Sequence, residues 1–279
     1  MSEQDLFDLL STVSVDDAPP DELRGYLTED FERFVHTLGL VGAGATGRAL
    51  EIGANPYFTT VLLREHTELE LTLTNSFDPD REGTGSQVVS YHRPGTAEAE
   101  RIPFEFHHVN VERHPLPFAD GTFHVVVFCE VIEHLLMDPV GALLEIRRVL
   151  RPEGRLILST PNVARLENVA RLVAGANLYD PYSGYGPYGR HNREFTRHEI
   201  FRLLGFAGFE STSSFTADVH PHRAEAFTDG RALAPLVGFR HEDLGQYLFF
   251  TATPAHDPLP GRPTSFYRSL PPDQLTPYE

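Results

Sequence analysis

Short apolar runs alternate with amphipathic segments along most of the chain. Five of these runs predict strands, at 48–53, 70–76, 104–110, 123–130 and 154–160, and helical spacing fills most of the intervals between them. The central runs are apolar almost throughout, as strands buried on both faces are. Two further runs, at 209–216 and 246–253, predict strands near the C-terminus. This alternation predicts an α/β fold with a doubly wound, mostly parallel sheet.

Three segments fall outside this alternation. Residues 1–44 carry apolar positions at helical spacing and predict an N-terminal helical segment. Residues 177–193 are rich in tyrosine and glycine and predict an ordered loop or lid. Residues 256–279 are rich in proline and predict an extended arm, which could pack on a partner subunit in a homodimer. The main domain is therefore expected over residues 45–255.

Two glycine-containing turns flank the first predicted strand. Gly42 to Gly47 reads G-x-G-x-x-G, but a helix precedes it and a strand follows, which is the reverse of a dinucleotide loop. It predicts a connector. The turn at Gly53 follows a strand, and Asn55 and Pro56 are expected to cap and open the next helix. The ligand loop is therefore expected at Gly53, where Glu51 would repel a pyrophosphate and favour a cationic ligand.

The composition of the chain limits the kinds of molecule that it is expected to bind. The 279 residues carry a net charge of −17, and all the basic residues are arginine. The chain has no basic stripe of the kind that nucleic acid binding needs. No apolar run approaches the roughly 18 residues of a membrane helix, and the N-terminus lacks the basic start of a signal peptide. A cytoplasmic protein with a neutral or cationic small-molecule substrate is expected.

Polar residues follow several of the predicted strands. In a doubly wound sheet, ligands bind outside the carboxyl ends of the strands, near the point where the strand order reverses. The residues expected there are Glu51, Gly53, Asn55, Asn75, Asn110 and the segment from Cys129 to His134. They would form an uncharged-to-acidic rim with groups able to bind ribose hydroxyls and a purine edge. The single cysteine excludes an intrachain disulfide, and Cys129 is more typical of a small core residue than of a nucleophile.

Four segments together resemble class I S-adenosylmethionine-dependent methyltransferases, and in overall character actinobacterial (mycobacterial) sugar O-methyltransferases. They are Leu50-Glu-Ile-Gly-Ala-Asn55, Pro115-Leu-Pro-Phe118 with the strand after it, Glu130-Val-Ile-Glu-His134, and Arg148-Val-Leu-Arg-Pro-Glu-Gly154 with the strand after it. The resemblance implies a Rossmann-like, seven-stranded sheet that ends in an antiparallel hairpin, here 209–216 and 246–253. It also implies S-adenosylmethionine as the cofactor.

The resemblance assigns roles to individual residues. Glu51 and the Gly53 turn would hold the methionine end of the cofactor. Asn75 stands where the family has an acid on the ribose hydroxyls, and Asn110 stands where an Asp or Asn meets the adenine amino group. The implied cofactor-binding set is completed by Asn55, Tyr57, Val111 and Cys129, with Tyr57 in the place of the family's third glycine.

Two groups of residues could carry the chemistry. Glu130, Glu133 and His134 could hold Mg²⁺, which prefers oxygen ligands and would lower the pKa of an acceptor hydroxyl. The same run resembles a segment associated with magnesium in ubiquinone-pathway O-methyltransferases. Alternatively, His134 is the base without a metal, or Glu133 and His134 are structural. His191, after the predicted lid, is a second candidate acid or base. The candidate catalytic residues are therefore His134, His191 and Glu130.

The resulting hypothesis is an S-adenosylmethionine-dependent O-methyltransferase. Its acceptor would be a hydroxyl of a small molecule, by resemblance a sugar such as a mannoside or oligosaccharide in polysaccharide biosynthesis, and the tyrosines of 177–193 could stack on it. The alternatives are a quinol or polyketide O-methyltransferase and an amino-sugar N-methyltransferase. A fourth is a catalytically silent, cofactor-binding partner subunit.

Overall fold

The computed structural model describes residues 2–78, 80–93, 96, 98–221, 223–227, 233, 235 and 237–278. The helices are α1 (Glu3–Ser11), α2 (Pro20–Val41), α3 (Phe58–His66), α4 (Pro139–Val149), α5 (Leu166–Val173) and α6 (Arg197–Phe206). The strands of the main sheet are β1 (Ser14–Val15), β2 (Thr46–Ile52), β3 (Glu68–Asn75), β4 (Gly83–His92), β5 (Ala99–His108), β6 (Phe123–Cys129), β7 (Leu150–Pro161), β8 (Phe209–Ala217) and β9 (Tyr247–Pro254). Two short strands, β10 (Arg262–Pro263) and β11 (Leu275–Thr276), pair separately.

The strand order of the main sheet is β1-β4-β5-β3-β2-β6-β7-β9-β8. The five central strands, from β5 to β7, pair in parallel. β9 runs antiparallel to both β7 and β8. The predicted Rossmann-like, doubly wound fold with a C-terminal antiparallel pair is therefore confirmed. The strand order reverses between β2 and β6, so a ligand crevice is expected at their carboxyl ends.

The predicted count of seven strands is too low, because β4 and β1 extend the sheet beyond β5. β4 pairs antiparallel with β5, and β1 pairs antiparallel with β4. β4 begins with Gly-Thr-Gly-Ser-Gln, and only Val89 and Tyr91 on it are fully buried. A strand that buries so few apolar side chains gives little hydrophobic signal in the sequence.

The two largest hydrophobic cores lie on the sheet. The larger packs α4 and α6 against β6 and β7, with Phe123, Phe128, Leu143 and Leu203 fully buried. The second packs α1, α2 and α3 against β3, β4 and β5. Because the N-terminal helices complete this second core, the predicted segment 1–44 packs directly on the main domain. None of the helices in the described ranges is both long and apolar enough to cross a membrane.

Two of the predicted helix starts can be compared with the structure. Asp138 caps α4 as predicted, since its Oδ1 accepts a hydrogen bond from the Gly141 amide at 3.1 Å and Pro139 is the first helical residue. The predicted start of α3 is wrong. The Asn55–Pro56 peptide is cis, and the residue before the helix is Tyr57, at φ +74°. Asn55 is therefore not the N-cap.

The C-terminal segment folds back on its own chain instead of extending away from it. The Arg262 Nε and the Tyr267 hydroxyl both donate to Asp138 Oδ1, at 2.7 and 2.8 Å. Phe266 and Tyr278 pack against the larger core. Met1 and Glu279, the outermost residues of the two predicted terminal segments, lie outside the described residues.

Replacing Asp138 by alanine is expected to lower the free energy of unfolding by about 1–2 kcal/mol, because the change removes a helix cap and the partner of Arg262 and Tyr267 at once. Chemical denaturation measures this. The matched control is Asp120→Ala, which removes an 82% exposed carboxylate paired with Arg148 and should cost at most about 1 kcal/mol. Equal effects of the two changes would contradict the anchoring role of Asp138.

Candidate active site

Two neighbouring cavities open at the carboxyl ends of β2 and β6. The larger has a volume of about 230 Å³ and the smaller about 50 Å³. Ile52, Gly53, Asn55 and Glu130 line both of them. The turn predicted to receive a ligand thus lies between the two cavities, at the reversal of strand order.

Gly53 has a conformation and surroundings that require glycine. Its φ is +77°, and a Cβ at this position would lie 2.7 Å from Cγ2 of Val131. Its amide donates to the Thr74 carbonyl at 2.9 Å, which fixes the turn to β3. Glycine therefore brings the β2 backbone close to Val131 at the edge of the cavities.

The smaller cavity combines one cation with two acids. Arg33, Glu51 and Glu130 line it together. Arg33 comes from α2 and is only 3% exposed. Its Nε pairs with Asp30 at 3.2 Å, and an Nη donates to the Tyr26 hydroxyl. The rim predicted to be uncharged-to-acidic therefore also contains a buried guanidinium, which a search among strand ends could not find.

Glu51 lies near the end of β2, in the wall of the smaller cavity. Its Oε2 accepts a hydrogen bond from the Thr60 hydroxyl at 2.6 Å. Burial raises the pKa of the Glu51 carboxyl to about 8, although the Thr60 hydrogen bond favours the charged form. A cationic ligand group would reverse this effect and stabilise the carboxylate.

Glu130 follows β6 at φ +55°. Its Oε1 accepts from the Ser159 hydroxyl at 2.7 Å. Burial raises the pKa of the Glu130 carboxyl, with the charge of Arg33 acting in the opposite direction. The side chain is thus engaged by β7 and faces α2.

The larger cavity contains most of the remaining residues predicted to bind the cofactor. Asn75, Asn110 and Val111 line it, together with Phe77 and Leu135. Asn110 is 3% exposed, and its Oδ1 accepts from the Glu112 amide at 3.1 Å. The buried Asn110 Nδ2 has no hydrogen-bond partner in the part of the chain that the structure describes. An unsatisfied buried donor at a cavity wall suits a ligand acceptor such as a purine ring nitrogen.

Tyr57, also predicted to bind the cofactor, lines neither cavity. Its side chain is fully buried. Its hydroxyl donates to Gln87 Oε1 at 2.7 Å and accepts from Asn75 Nδ2 at 3.0 Å. Tyr57 therefore orients the Asn75 side chain without lining the cavity itself. Gln87 completes this hydrogen-bond network, and it lies on β4, the strand that the sequence did not predict. Asn75 Oδ1 accepts from the Asn55 amide at 2.9 Å.

Cys129 lines the smaller cavity as a neutral thiol. Burial raises its pKa to about 11, so the thiolate that a nucleophile requires is not populated near neutral pH. The interpretation of Cys129 as a small wall residue fits this environment.

Glu133, His134 and His191 meet beside the larger cavity. Glu133 and His134 lie on a single 3-10 turn after β6 (Ile132–His134), and His134 lines the cavity. The Glu133 Oε1 is 3.7 Å from His134 Nε2. The His134 and His191 rings are edge-to-face, with centroids 5.1 Å apart. The structure thus brings both candidate histidines together, although they are far apart in the sequence.

The two histidines have opposite electrostatic surroundings. Burial and the neighbouring His191 lower the pKa of His134, so its imidazole is neutral near pH 7. Burial also disfavours the charged form of His191. However, the hydrogen bond to Glu194 at 3.2 Å and the charge of Glu133 outweigh this and raise the pKa of His191 to about 9. His134 is therefore suited to accept a proton, whereas His191 is a cation.

The Mg²⁺ set predicted from Glu130, Glu133 and His134 does not match this geometry. Among the described residues, the group close enough to share an ion is Glu133, His134 and His191. Glu130 is held by Ser159 and opposed by Arg33. One carboxylate and two imidazoles form a poor donor set for a hard, oxygen-preferring cation.

The predicted lid, 177–193, crosses the site at its C-terminal end. Tyr188 lines the larger cavity, and its hydroxyl donates to Glu112 at 3.1 Å. The Asn192 side chain donates to the His134 carbonyl at 2.9 Å. Tyr179, Tyr182 and Tyr185 are 79%, 95% and 81% exposed, so their rings are not packed against the domain.

The comparisons with known proteins agree with this architecture. Residues 83–158 match the model of a family described as a methyltransferase domain. A Mycolicibacterium smegmatis protein named "Probable S-adenosylmethionine-dependent methyltransferase" is 36% identical over 106 residues, or 38% of this chain and 35% of that protein. The chain thus aligns with about a third of the length of this relative.

Solved structures with the same fold include the following two. One is a chain of the complex between the Haloferax volcanii Trm112 methyltransferase activator and a protein described as a methyltransferase, with TM-score 0.53, 14% identity, and 84% and 93% of the two chains covered. The other is an S-adenosylmethionine-dependent methyltransferase from Archaeoglobus fulgidus, with TM-score 0.50, 13% identity, and 82% and 94% covered. The chain has the Rossmann-like fold of these methyltransferases. The matches support the predicted methyltransferase and do not bear on a sugar acceptor.

Proposed function

We propose that the chain is an S-adenosylmethionine-dependent methyltransferase that acts on a hydroxyl of a small acceptor. The observation that carries this proposal is that two neighbouring cavities share a lining at Gly53 and Glu130. A ligand that occupied both cavities would pass these residues, and His134 lines the larger of the two. Donor and proton acceptor are therefore expected to meet there.

The smaller cavity is chemically complementary to the amino acid end of the cofactor. An α-amino acid carries one carboxylate and one ammonium group. Arg33 offers a buried guanidinium for the carboxylate, and Glu51 offers an acid for the ammonium. An ion brought out of water needs such a partner, because burial without one is costly. The volume of about 50 Å³ restricts this cavity to a small group.

The larger cavity suits the nucleoside end. Val111, Leu135 and Phe77 provide apolar surface for a base, and Asn110 Nδ2 provides the free donor. Asn75 lines the same cavity and would contact the ribose hydroxyls. It is a neutral amide held by Tyr57 and Asn55, so it would bind these hydroxyls less strongly than a carboxylate.

The reaction requires one bond to form as another breaks. The acceptor oxygen forms a bond to the methyl carbon while the sulfur–carbon bond of the sulfonium breaks, and the hydroxyl proton must leave. His134 is neutral and lines the cavity, so its Nε2 can take that proton. The carbonyl of Arg190, 3.0 Å from Nδ1, holds the ring in the tautomer with the proton on Nδ1.

A sugar acceptor is the form of this proposal that the lid favours. Tyr188 lines the larger cavity, and three further tyrosines of the same segment are exposed. Their flat apolar faces with hydroxyl tips are of the kind that can stack on sugar rings. The chain's negative charge disfavours phosphorylated acceptors, so a neutral glycoside is expected.

Transfer of labelled methyl groups from S-adenosylmethionine to panels of neutral sugars, quinols, polyketides and amino sugars tests the proposal. Incorporation into a sugar hydroxyl would support it in full. Incorporation into another class would retain the methyltransferase and replace the acceptor. Binding of S-adenosylhomocysteine without transfer to any panel would favour the silent partner subunit.

Cofactor affinity is expected to rise with pH between about 6 and 8. Glu51 is mostly neutral below its raised pKa of about 8, and an ammonium group binds only the carboxylate. Release of one proton on binding gives at most about a tenfold gain in affinity per pH unit. Calorimetric titration of S-adenosylhomocysteine across this range measures the slope.

Two variants test the origin of this slope. Glu51→Gln cannot ionise and should remove it. Thr60→Val loses the hydrogen bond that favours the charged carboxyl, so the rise should move to higher pH. A slope that survives Glu51→Gln would assign the proton to another group.

A further inference from the structure

We propose that Glu133, His134 and His191 form a binding site for a borderline divalent cation such as Zn²⁺. Its ligands would be one carboxylate oxygen and two imidazole nitrogens. This site differs in ligands and in metal class from a magnesium site at Glu130, Glu133 and His134. One ligand atom from each of the three residues lies within 4.8 Å of the others. Imidazole and carboxylate donors in this ratio suit zinc, cobalt or nickel.

Glu133 supplies an independent indication of a missing ligand. Its side chain is fully buried, and its Oε2 accepts from the Thr160 hydroxyl at 2.8 Å. The other oxygen, Oε1, is also buried and has no hydrogen-bond partner within the described ranges. It lies 3.7 Å from His134 Nε2. A buried carboxylate oxygen is costly to leave unpaired, and a cation between these two atoms would satisfy it.

Both imidazoles are oriented as metal ligands are. The Nδ1 of His134 lies 3.0 Å from the Arg190 carbonyl, and the Nδ1 of His191 lies 3.2 Å from Glu194 Oε1. Glu194 is in turn paired with Arg165. A ligating histidine characteristically donates its second N–H to a carbonyl or carboxylate, which fixes the ring. In both rings this leaves Nε2 for the ion, and because His191 is protonated near neutral pH, binding there would release its Nε2 proton.

The site would connect the lid to the body of the domain. His191 belongs to the predicted lid, and Glu133 and His134 belong to the 3-10 turn after β6. The same two segments are already joined, since the Asn192 amide donates to the Glu133 carbonyl at 2.8 Å. An ion would add a bond between side chains where the backbones already meet.

Occupancy has a consequence for the proposed base. A nitrogen that binds a metal has no lone pair left for a proton. An ion on His134 Nε2 would therefore block proton transfer by His134, so this cation is expected to inhibit. Only this consequence rests on the proposed function; binding itself does not.

Titration of the full chain with Co²⁺, followed by its visible absorption, tests the site. One ion per chain with a four-coordinate spectrum is expected, and Zn²⁺ should displace it. His191→Ala and Glu133→Gln should each weaken binding by more than about tenfold, since changes to orienting partners alone cost 10- to 100-fold. The control is His198→Ala, which removes an exposed histidine on α6 and should leave binding unchanged.

The readouts separate the possible failures. Circular dichroism identifies a variant that does not fold, and in that case Glu194→Gln, which keeps all three ligands but loosens His191 and weakens the pair with Arg165, should still weaken binding by about 10- to 100-fold. No bound ion, or equal binding by the wild-type chain and by folded His191→Ala, would overturn the proposal. Cobalt binding at the three residues without inhibition would retain the site and remove His134 as the base.

Discussion

Replacing His134 by alanine is expected to lower kcat by about 10²- to 10⁴-fold, the usual contribution of a general base. The affinity for S-adenosylhomocysteine should change little, because the two cavities retain Arg33, Glu51 and Asn110. Steady-state kinetics together with calorimetry separate the two effects. In the wild-type enzyme, kcat should fall on the acid side as the imidazole becomes protonated. Because the pKa of His134 is lowered, this fall should lie below about pH 6.5.

His198→Ala is the matched control, since it removes an exposed histidine on α6. It should leave kcat and its pH profile unchanged. A folded His134→Ala enzyme with normal kcat would withdraw the base assignment. His191 would not be the first replacement, because its raised pKa of about 9 leaves it protonated near neutral pH.

Replacing Arg33 by methionine should weaken binding of S-adenosylhomocysteine by about 10- to 100-fold, since hydrogen bonds to charged groups contribute about 1.5–3 kcal/mol. Binding of 5′-methylthioadenosine should hardly change, because this ligand lacks the carboxylate and ammonium groups. Calorimetry with both ligands measures the difference. The truncated ligand also reports whether the variant has folded.

Arg24→Met is the control on the same helix. Arg24 is 78% exposed and pairs with Asp21 at the surface, so both ligands should bind as they do to the wild-type chain. Equal losses for the full and the truncated ligand in Arg33→Met would place Arg33 in the fold of α2 and not at the carboxylate.

The parts of the fold that the sequence predicts well are those in which burial is strongest. The runs at 48–53, 123–130 and 154–160 lie in strands with four or more fully buried positions each, and a run of that kind has few alternatives. β4 was missed because only two of its ten residues are buried. The position of the turn after β2 was predicted correctly. Its backbone conformation was not, because an Asn-Pro sequence is compatible with several types of turn.

The site residues that could be predicted from the sequence are those at the carboxyl ends of the parallel strands. Gly53, Asn75 and Asn110 line the cavities because parallel strands bring their carboxyl ends to one edge. Arg33 could not be found in this way, since it reaches the site from a helix that precedes the first parallel strand. An arginine among the apolar positions of a helix is the signal that could have pointed to it, and only tertiary structure shows what it faces.

The contact between Glu133 and His191 could not be predicted for a different reason. The two residues belong to a turn and to the end of a long loop, and their separation depends on how that loop closes. A sequence rich in tyrosine and glycine indicates a loop. It does not indicate which residues of that loop contact the sheet. The role of Glu194 in holding His191 is hidden for the same reason.

The helix α2 contributes both to the packing of the N-terminal segment and to the smaller cavity, so a change in one affects the other. One face completes a core with α1, β3 and β4, and Arg33 on the same helix reaches the smaller cavity. A ligand held by Arg33 therefore raises the free energy of detaching the N-terminal segment, by about 2.7 kcal/mol when its concentration is 100 times Kd and the detached form does not bind it. Loosening of the first 44 residues and release of the ligand become a single linked equilibrium. Detachment of the N-terminal segment should therefore become rarer as the smaller cavity fills with ligand.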